Sequence, residues 1–295
     1  MKKVLIVYFS QGGTTEKIAK AIRKGLLSLG YLVDLCNIKN EKAPDIKDYN
    51  LLGIGFPVYY YRPPFNITDY ARGLDLKGMP FFVFVLHGTY KSDAATTVRK
   101  ILTKKEGVDL GYFHSFGADT YLGYLKRGYL FSPDHPQEKE LIEAERFGRE
   151  IAFRSERKSY LREKFEKPPQ MIYRLERFLT KRWLVKHLYS RLFRVNMRNC
   201  GPCNICIESC PLGNIKKDKK GRPIWGHNCL LCLSCQMKCP REAIKSAVDT
   251  PVFGLFISYN IRKTREDPSI NFERVILSHG NIIKLKSDKP EKVRV

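Results

Sequence analysis

Eight of the nine cysteines fall between residues 200 and 239, in two copies of one spacing. The first copy is Cys200, Cys203, Cys206 and Cys210 followed by Pro211; the second is Cys229, Cys232, Cys235 and Cys239 followed by Pro240. Each reads C-x2-C-x2-C-x3-C-P, a run in which three thiolates wrap one [4Fe–4S] cubane while the fourth, redirected by the proline, serves the other cluster. The spacing therefore assigns one cluster to Cys200, Cys203, Cys206 and Cys239, and the other to Cys229, Cys232, Cys235 and Cys210. Zinc would ask for paired C-x2-C units across a longer loop and only four ligands per ion. A disulfide framework would spread its cysteines through a small secreted chain. The ninth, Cys36, stands alone near the end of an expected strand and reads as a small buried hydrophobe.

The repeat reaches beyond the cysteines. At an offset of 29 residues Val195 matches Ile224 and Ile215 matches Ile244, so the region is two copies of one unit and should have pseudo-twofold symmetry. Trp225 and His227 lie just before the second run; with all eight ligand positions filled, they read as cover for a cluster. Residues 199–247 resemble the bacterial two-cluster ferredoxin module, with every ligand position matched.

A second chemistry-bearing stretch is Ser10-Gln11-Gly12-Gly13-Thr14-Thr15, between an apolar run and a helical pattern. Glycines and hydroxyls at a helix N-terminus offer backbone N–H and Oγ donors to a phosphate. It is not a P-loop, because G-x-x-x-x-G-K-[ST] is absent. Glycine-hydroxyl loops also serve merely as caps and turns. Gly53-Ile54-Gly55 lacks a third glycine and runs into Phe56-Pro57, which argues against dinucleotide binding and direct NAD(P)H oxidation.

The elements that must position these residues follow from periodicity. Apolar runs at Val4 to Phe9, Tyr31 to Leu35, Leu51 to Phe56, Pro80 to Leu86 and Tyr112 to Phe116 predict five strands. Helical patterns lie between and after them at Thr14 to Leu29, closed by Gly30, and at Ser92 to Lys105 and Pro136 to Phe153. Alternation of this kind predicts a doubly wound α/β domain with a parallel sheet over residues 1–153. A basic helical connector follows at 154–198, interrupted by Pro168-Pro169. The cysteine domain occupies 199–247, and an extension at 248–295 carries strand candidates around Val275 to Leu277 and Ile282-Ile283 and ends in a frayed lysine-rich stretch.

The first strand, the Ser10 to Thr15 loop, the Leu51 to Phe56 strand and the loop Pro57-Val58-Tyr59-Tyr60 together resemble flavodoxin. The resemblance implies a five-stranded sheet of order 2-1-3-4-5 with FMN at the carboxyl ends of the strands and its phosphate on the first loop. Pro57, Val58, Tyr59 and Tyr60, with His87-Gly88-Thr89-Tyr90, fall where flavodoxin loops enclose the isoalloxazine ring, making Tyr59, Tyr60 and Tyr90 the stacking candidates. The family's first loop usually reads Ser/Thr-x-Thr-Gly-x-Thr. Here Gly12 replaces a hydroxyl residue while Ser10, Gly13 and Thr15 keep their places. The whole arrangement, a flavodoxin-like domain and then a small α+β two-cluster ferredoxin-like domain, resembles the fused flavodoxin–ferredoxin proteins called ferrodoxins.

Lys and Arg outnumber Asp and Glu by 53 to 30, a formal charge of +23, which points to an acidic partner. Ile151 to Arg198 holds fourteen Lys or Arg against four Glu, interleaved with aromatics. That pattern admits a linker burying its aromatics and solvating its charges, an interfacial helix on an anionic membrane surface, or a docking face for an acidic redox protein. Nucleic acid is not expected, since no recognition motif accompanies the charge. No apolar stretch approaches the roughly 18 residues of a membrane span, so a cytoplasmic protein is expected, peripheral to a membrane if the connector binds lipid. The function expected is electron transfer between the clusters and the flavin, linking low-potential carriers to a redox partner. The alternatives are a ferredoxin-dependent flavin reductase acting on a small substrate such as a quinone, and an iron–sulfur regulatory or membrane-surface protein.

Overall fold

The computed structural model describes residues 2–157, 165–166 and 171–285, without the Ile172 side chain. Pro168-Pro169 and the lysine-rich stretch from 286 onward lie outside the described residues. The chain begins β1 (Lys3–Tyr8), α1 (Thr14–Leu27), β2 (Leu32–Asn37), β3 (Leu51–Pro57), α2 (Phe65–Gly73), β4 (Pro80–His87), α3 (Ala94–Thr103) and β5 (Val108–Phe116). Short elements α4 (Leu122–Leu125) and β6 (Tyr129–Phe131) precede the long helix α5 (Glu138–Arg157), then α6 (Met171–Leu179) and α7 (Arg182–His187). The cysteine region contains β7 (Arg194–Val195), α8 (Ile205–Glu208), β8 (Ile215–Lys217), β9 (Pro223–Trp225), α9 (Ser234–Met237) and β10 (Ile244–Lys245). Helix α10 (Pro251–Arg265) and strands β11 (Phe272–Ser278) and β12 (Asn281–Lys284) complete it.

These elements form two compact units, each discontinuous in sequence: residues 1–118 with 134–177, and 119–133 with 178–295. In the first, five parallel strands run in the order β2-β1-β3-β4-β5, as the sequence resemblance implies. Strands covered on both faces need continuous apolar runs, and Val4 to Val7, Leu51 to Phe56 and Phe81 to Leu86 are buried along their lengths. Sheet and helices share one core in which Ile18, Ala19, Ile22 and Leu26 of α1 meet Ala144, Phe147, Ile151 and Ala152 of α5 and Phe82 and Phe84 of β4.

Helix α1 lies on α5 almost backbone to backbone. A Cβ at Gly25 would stand 2.0 Å from the carbonyl oxygen of Glu145, and one at Gly148 would stand 2.3 Å from that of Ile22. Neither obstacle is a side-chain tip that could swing aside.

Two differences from expectation, besides the unexpected α4 and β6 and the passage of 119–133 to the second unit, have a local cause. Strand β5 begins at Val108 rather than Tyr112, because Arg99, 1% exposed, reaches from α3 to pair with Asp109 at 2.7 Å. Asp109 also accepts the Gly111 N–H, and the β4–β5 register shifts between Phe81 and Val83. That irregularity breaks the apolar run on which the sequence assignment relied. Helix α2 also went unread, since Pro63-Pro64 just before it favours an extended entry; Pro64 is in fact its N-cap.

In the second unit β6 pairs antiparallel with β11, which pairs with β12 at the Val275 to Leu277 and Ile282-Ile283 stretches singled out above. Leu125, Leu130 and Val275 form one cluster of its core, and Leu231, Ile244 and Ile257 are among its other buried side chains. Gln236 Nε2 donates to Asp249 Oδ2 at 2.7 Å, as does the Ser246 N–H at 2.8 Å, and the Ser246 hydroxyl donates to Gln236 Oε1 at 2.6 Å. This network ties α9 to the turn that opens α10.

Gly148→Ala should destabilise the first unit by about 1–3 kcal/mol, because overpacking here must move one helix backbone off another. Urea unfolding followed by far-ultraviolet circular dichroism measures it; an unchanged midpoint would mean that the α1–α5 contact is not tight.

Candidate functional site

Three loops leave the carboxyl ends of the adjacent strands β1, β3 and β4, beside the point where the strand order reverses. The first is shaped by Gly13, whose φ of +84° starts α1 and favours glycine; no side chain caps the helix. A Cβ at Gly12 or Gly13 would meet nothing within 4 Å, so the space before the helix N-terminus is open. Ser10 is 5% exposed and its Oγ is buried without a hydrogen-bond partner. Its backbone is gripped by Asn37, whose Oδ1 accepts the Ser10 N–H at 3.3 Å while its Nδ2 donates to the Ser10 carbonyl at 3.2 Å. Thr15 is buried, and Gln11 and Thr14 are partly so.

The second loop is a tight turn. Tyr59 and Arg62 exchange backbone hydrogen bonds of 2.9 and 3.1 Å, with Tyr60 at φ +48° and Tyr61 at φ +60° between them. Two tyrosines stand where such a turn usually takes Asn-Gly, at a cost of about 1–2 kcal/mol per residue. Strain of this kind persists where surrounding contacts hold it, typically at ligand clamps. The Tyr59 hydroxyl donates to Gln11 Oε1, and its ring meets Phe9 edge-on at 6.2 Å, joining the second loop to the first. The Val58 N–H donates to the Leu86 carbonyl at 2.8 Å, joining it to the strand before the third. Arg62 lies over the Phe65 ring, and burial pulls its guanidinium down to about 10.

His87 opens the third loop, 7% exposed. Its Nδ1 lies 3.0 Å from the Thr89 carbonyl oxygen, an acceptor only, so Nδ1 carries the proton and Nε2 is a buried lone pair without a partner. The ring packs at 4.6 Å on Phe116 and 5.7 Å on His114. Burial, with smaller contributions from His114, Lys91 and His135, lowers its pKa from 6.5 to about 4. Gly88, Thr89 and Tyr90 follow, half-buried. The structure thus brings the proposed residues of all three loops to one edge of the sheet. Asn37, Tyr61 and Arg62 belong to the same construction and went unnoticed; a third tyrosine in Tyr59-Tyr60-Tyr61 was the one available signal.

The cysteines of the second unit sort into two cavities. Cys200, Cys203, Cys206 and Cys239 line one of about 480 Å³, open to solvent; Cys210, Cys229, Cys232 and Cys235 line another of about 330 Å³. The repeat is visible in the backbone. Asn204 and Leu233, 29 apart, both take left-handed φ (57° and 60°) to start α8 and α9. The Asn214 N–H donates to Cys210 Sγ at 3.2 Å and the matching Ala243 N–H to Cys239 Sγ at 3.3 Å. Strand β10 pairs with β7, and β8 with β9 one residue out of the equivalent register.

The halves are not equal. The Leu231 N–H donates to Cys229 Sγ at 3.3 Å, but the matching position in the first copy is Pro202, which has no N–H. Cys203 is exposed, whereas Cys235 is buried and burial pushes the Cys229 thiol up to about 12. Trp225 lines the second cavity, lying flat on Phe193 at 4.9 Å, while His227 Nδ1 turns to the Lys186 carbonyl at 3.1 Å. Among the described residues no group of three or more His, Cys, Asp and Glu side chains closes on a single metal ion. Cys36 is 2% exposed, with its thiol raised to about 11 by burial, an inert core residue. Also among the described residues, no helix is long and apolar enough to cross a membrane.

Loops gathered at the switch point of a parallel sheet define a doubly wound α/β domain, a class whose ligands bind at the carboxyl edge of the sheet. Residues 5–125 match the flavodoxin domain family. An uncharacterized protein of Methanocaldococcus jannaschii is 30% identical over 152 residues, 50% of this chain and 97% of that protein. The chain belongs to the flavodoxin domain family through this N-terminal part. A flavodoxin of Buchnera aphidicola is 43% identical over 65 residues, 21% of this chain and 34% of its own length, so that match spans about a third of the relative. Among solved structures, a flavodoxin from the domain Archaea is 17% identical, covering 52% of this chain and 99% of that one with a TM-score of 0.42.

Since burial depresses the His87 pKa, neutral His87 adds stability that is fully present above about pH 6.5 and is lost as the pH falls toward about 4. The urea midpoint of the wild type should drop between pH 7.5 and 5, and His87→Gln should drop less. Parallel pH profiles for the two proteins would assign the effect elsewhere.

Proposed function

We propose that this chain is an electron-transfer flavoprotein that holds FMN on its three sheet-edge loops and two [4Fe–4S] clusters in its cysteine region. The observation that carries the proposal is the crossed sorting of the cysteines. Each cavity takes three from one sequence copy and its fourth from the other, the exchange expected of a two-cluster ferredoxin fold. A cubane presents one iron to each thiolate, so its ligands surround a volume and need not meet at a point.

The residues suit their groups. A phosphate monoester would find the N–H groups of the α1 N-terminus, the unpartnered Ser10 Oγ and the open ground over Gly12 and Gly13. Tyr59, Tyr60 and Tyr90 offer flat faces for an isoalloxazine ring, and neutral His87 adds no charge behind it. Around the clusters, Asn214, Leu231 and Ala243 donate N–H groups to cysteine sulfur and would steady their negative charge. Bound there, the clusters would supply one-electron exchange and the flavin one- or two-electron exchange. The chain's part is to hold these centres, exclude water from the Cys235 side and leave the Cys203 side accessible. Lys217 and Arg241 line the cavity of exposed Cys203, which favours an acidic protein as redox partner.

Anaerobically purified protein should contain about eight irons and one FMN per chain. Iron without flavin would leave a ferredoxin with an adaptor domain, and absence of iron would sink the proposal. The sorting has its own check in iron content. Cys203→Ala combined with Cys239→Ala should spoil one cluster and retain about four irons, whereas Cys203→Ala with Cys210→Ala should lose nearly all. The reverse pattern would mean that each sequence copy holds its own cluster.

A further inference from the structure

Within the connector, Tyr173 at the start of α6 meets the second and third loops, and Glu166 pairs with Lys91 just after the third. We propose that Tyr173 of α6 is a further aromatic wall of the flavin site, with α6 acting as a strap that Arg177 fastens; this rests on the FMN reading above. Tyr173 is 8% exposed. Its ring stands 4.7 Å from that of Tyr61 in the second loop and 5.6 Å from that of Tyr90 in the third, tilted 36° to each. One side chain from outside the doubly wound fold thus joins the two loops expected to enclose an isoalloxazine. The neighbouring apolar residues of α6 do otherwise: Met171, Leu175 and Phe178 are exposed at 81%, 46% and 53%. A helix serving only to cover core would turn those inward as well.

Glu166 and Arg177, on either side of Tyr173 in sequence, are each fastened near the third loop. The Glu166 N–H donates to Thr96 Oγ1 at 2.9 Å, and its carboxylate accepts the Tyr112 hydroxyl at 2.9 Å and pairs with Lys91 at 3.0 Å. At the other end Arg177 pairs with Asp93. The anchors on residues 91–96 follow directly on His87 to Tyr90, so strap and loop are positioned together. Tyr173 is accordingly a positioning residue of the cofactor site, acting through Tyr61 and Tyr90 and through its own flat face.

The test is titration of FMN into the deflavinated full-length protein under anaerobic conditions, read by quenching of flavin fluorescence. Tyr173→Leu keeps the bulk but not the flat face; it should weaken FMN binding on the order of tenfold and leave the bound flavin brighter. Tyr173→Phe should restore both affinity and quenching. Arg177→Met, which loosens the strap and leaves Tyr173 in place, should weaken binding a few-fold. Far-ultraviolet circular dichroism and iron content should match the wild type throughout. Wild-type affinity and quenching in Tyr173→Leu would overturn the role of Tyr173 while leaving the flavin reading intact. Failure of the wild type itself to bind FMN would overturn both.

Discussion

The architecture of the first unit depends on the closeness of α1 to α5. Two glycines let the helices touch backbone to backbone, and that contact fixes the height and tilt of α1 over the sheet. The N-terminus of α1 is the part of the helix that matters chemically, since its unpaired N–H groups face the crevice at the strand ends. A looser seat would move that terminus away from Ser10, which Asn37 grips from β2. The loop at this sheet edge thus has its N–H groups and hydroxyls held in place with no charged side chain among them.

The second unit meets a different constraint. Its cysteine half has short strands and two single-turn helices. Hydrogen bonds among Gln236, Ser246 and Asp249 compensate in part, satisfying the buried polar groups of Gln236 and Ser246. Within the cysteine half the two copies have diverged where the chemistry is most sensitive. Pro202 in place of a donor, and exposed Cys203 against buried Cys235, give the two sulfur-lined cavities unequal environments despite the common spacing.

Legibility in the sequence followed the range of the interactions. Cysteine spacing was readable because a thiolate's reach is set by its own few neighbours. The five strands were readable because burial on both faces leaves unbroken apolar runs. Where a tertiary contact overrode the local pattern the text of the sequence fell silent. Asp109 looks like a strand breaker until Arg99 is seen to reach it, Asn37 carries no mark of its hold on Ser10, and β6 looks like loop without β11. Tyr173 is the clearest instance, one aromatic among several in a basic segment, distinguished only by the rings it touches.

The discontinuity of the two units bears on how the chain is made. Residues 119–133 emerge from the ribosome early, embedded in the first unit's sequence, but the partner of β6 is β11, about 140 residues later. Until Phe272–Ser278 has been synthesised, Phe131 and Leu130 have no sheet to join, so the second unit cannot fold in the order of its synthesis. The first unit also waits, for α5, before α1 is covered. A nascent chain of this design carries an unpaired strand for nearly half of its synthesis, and its second unit is completed well after its first.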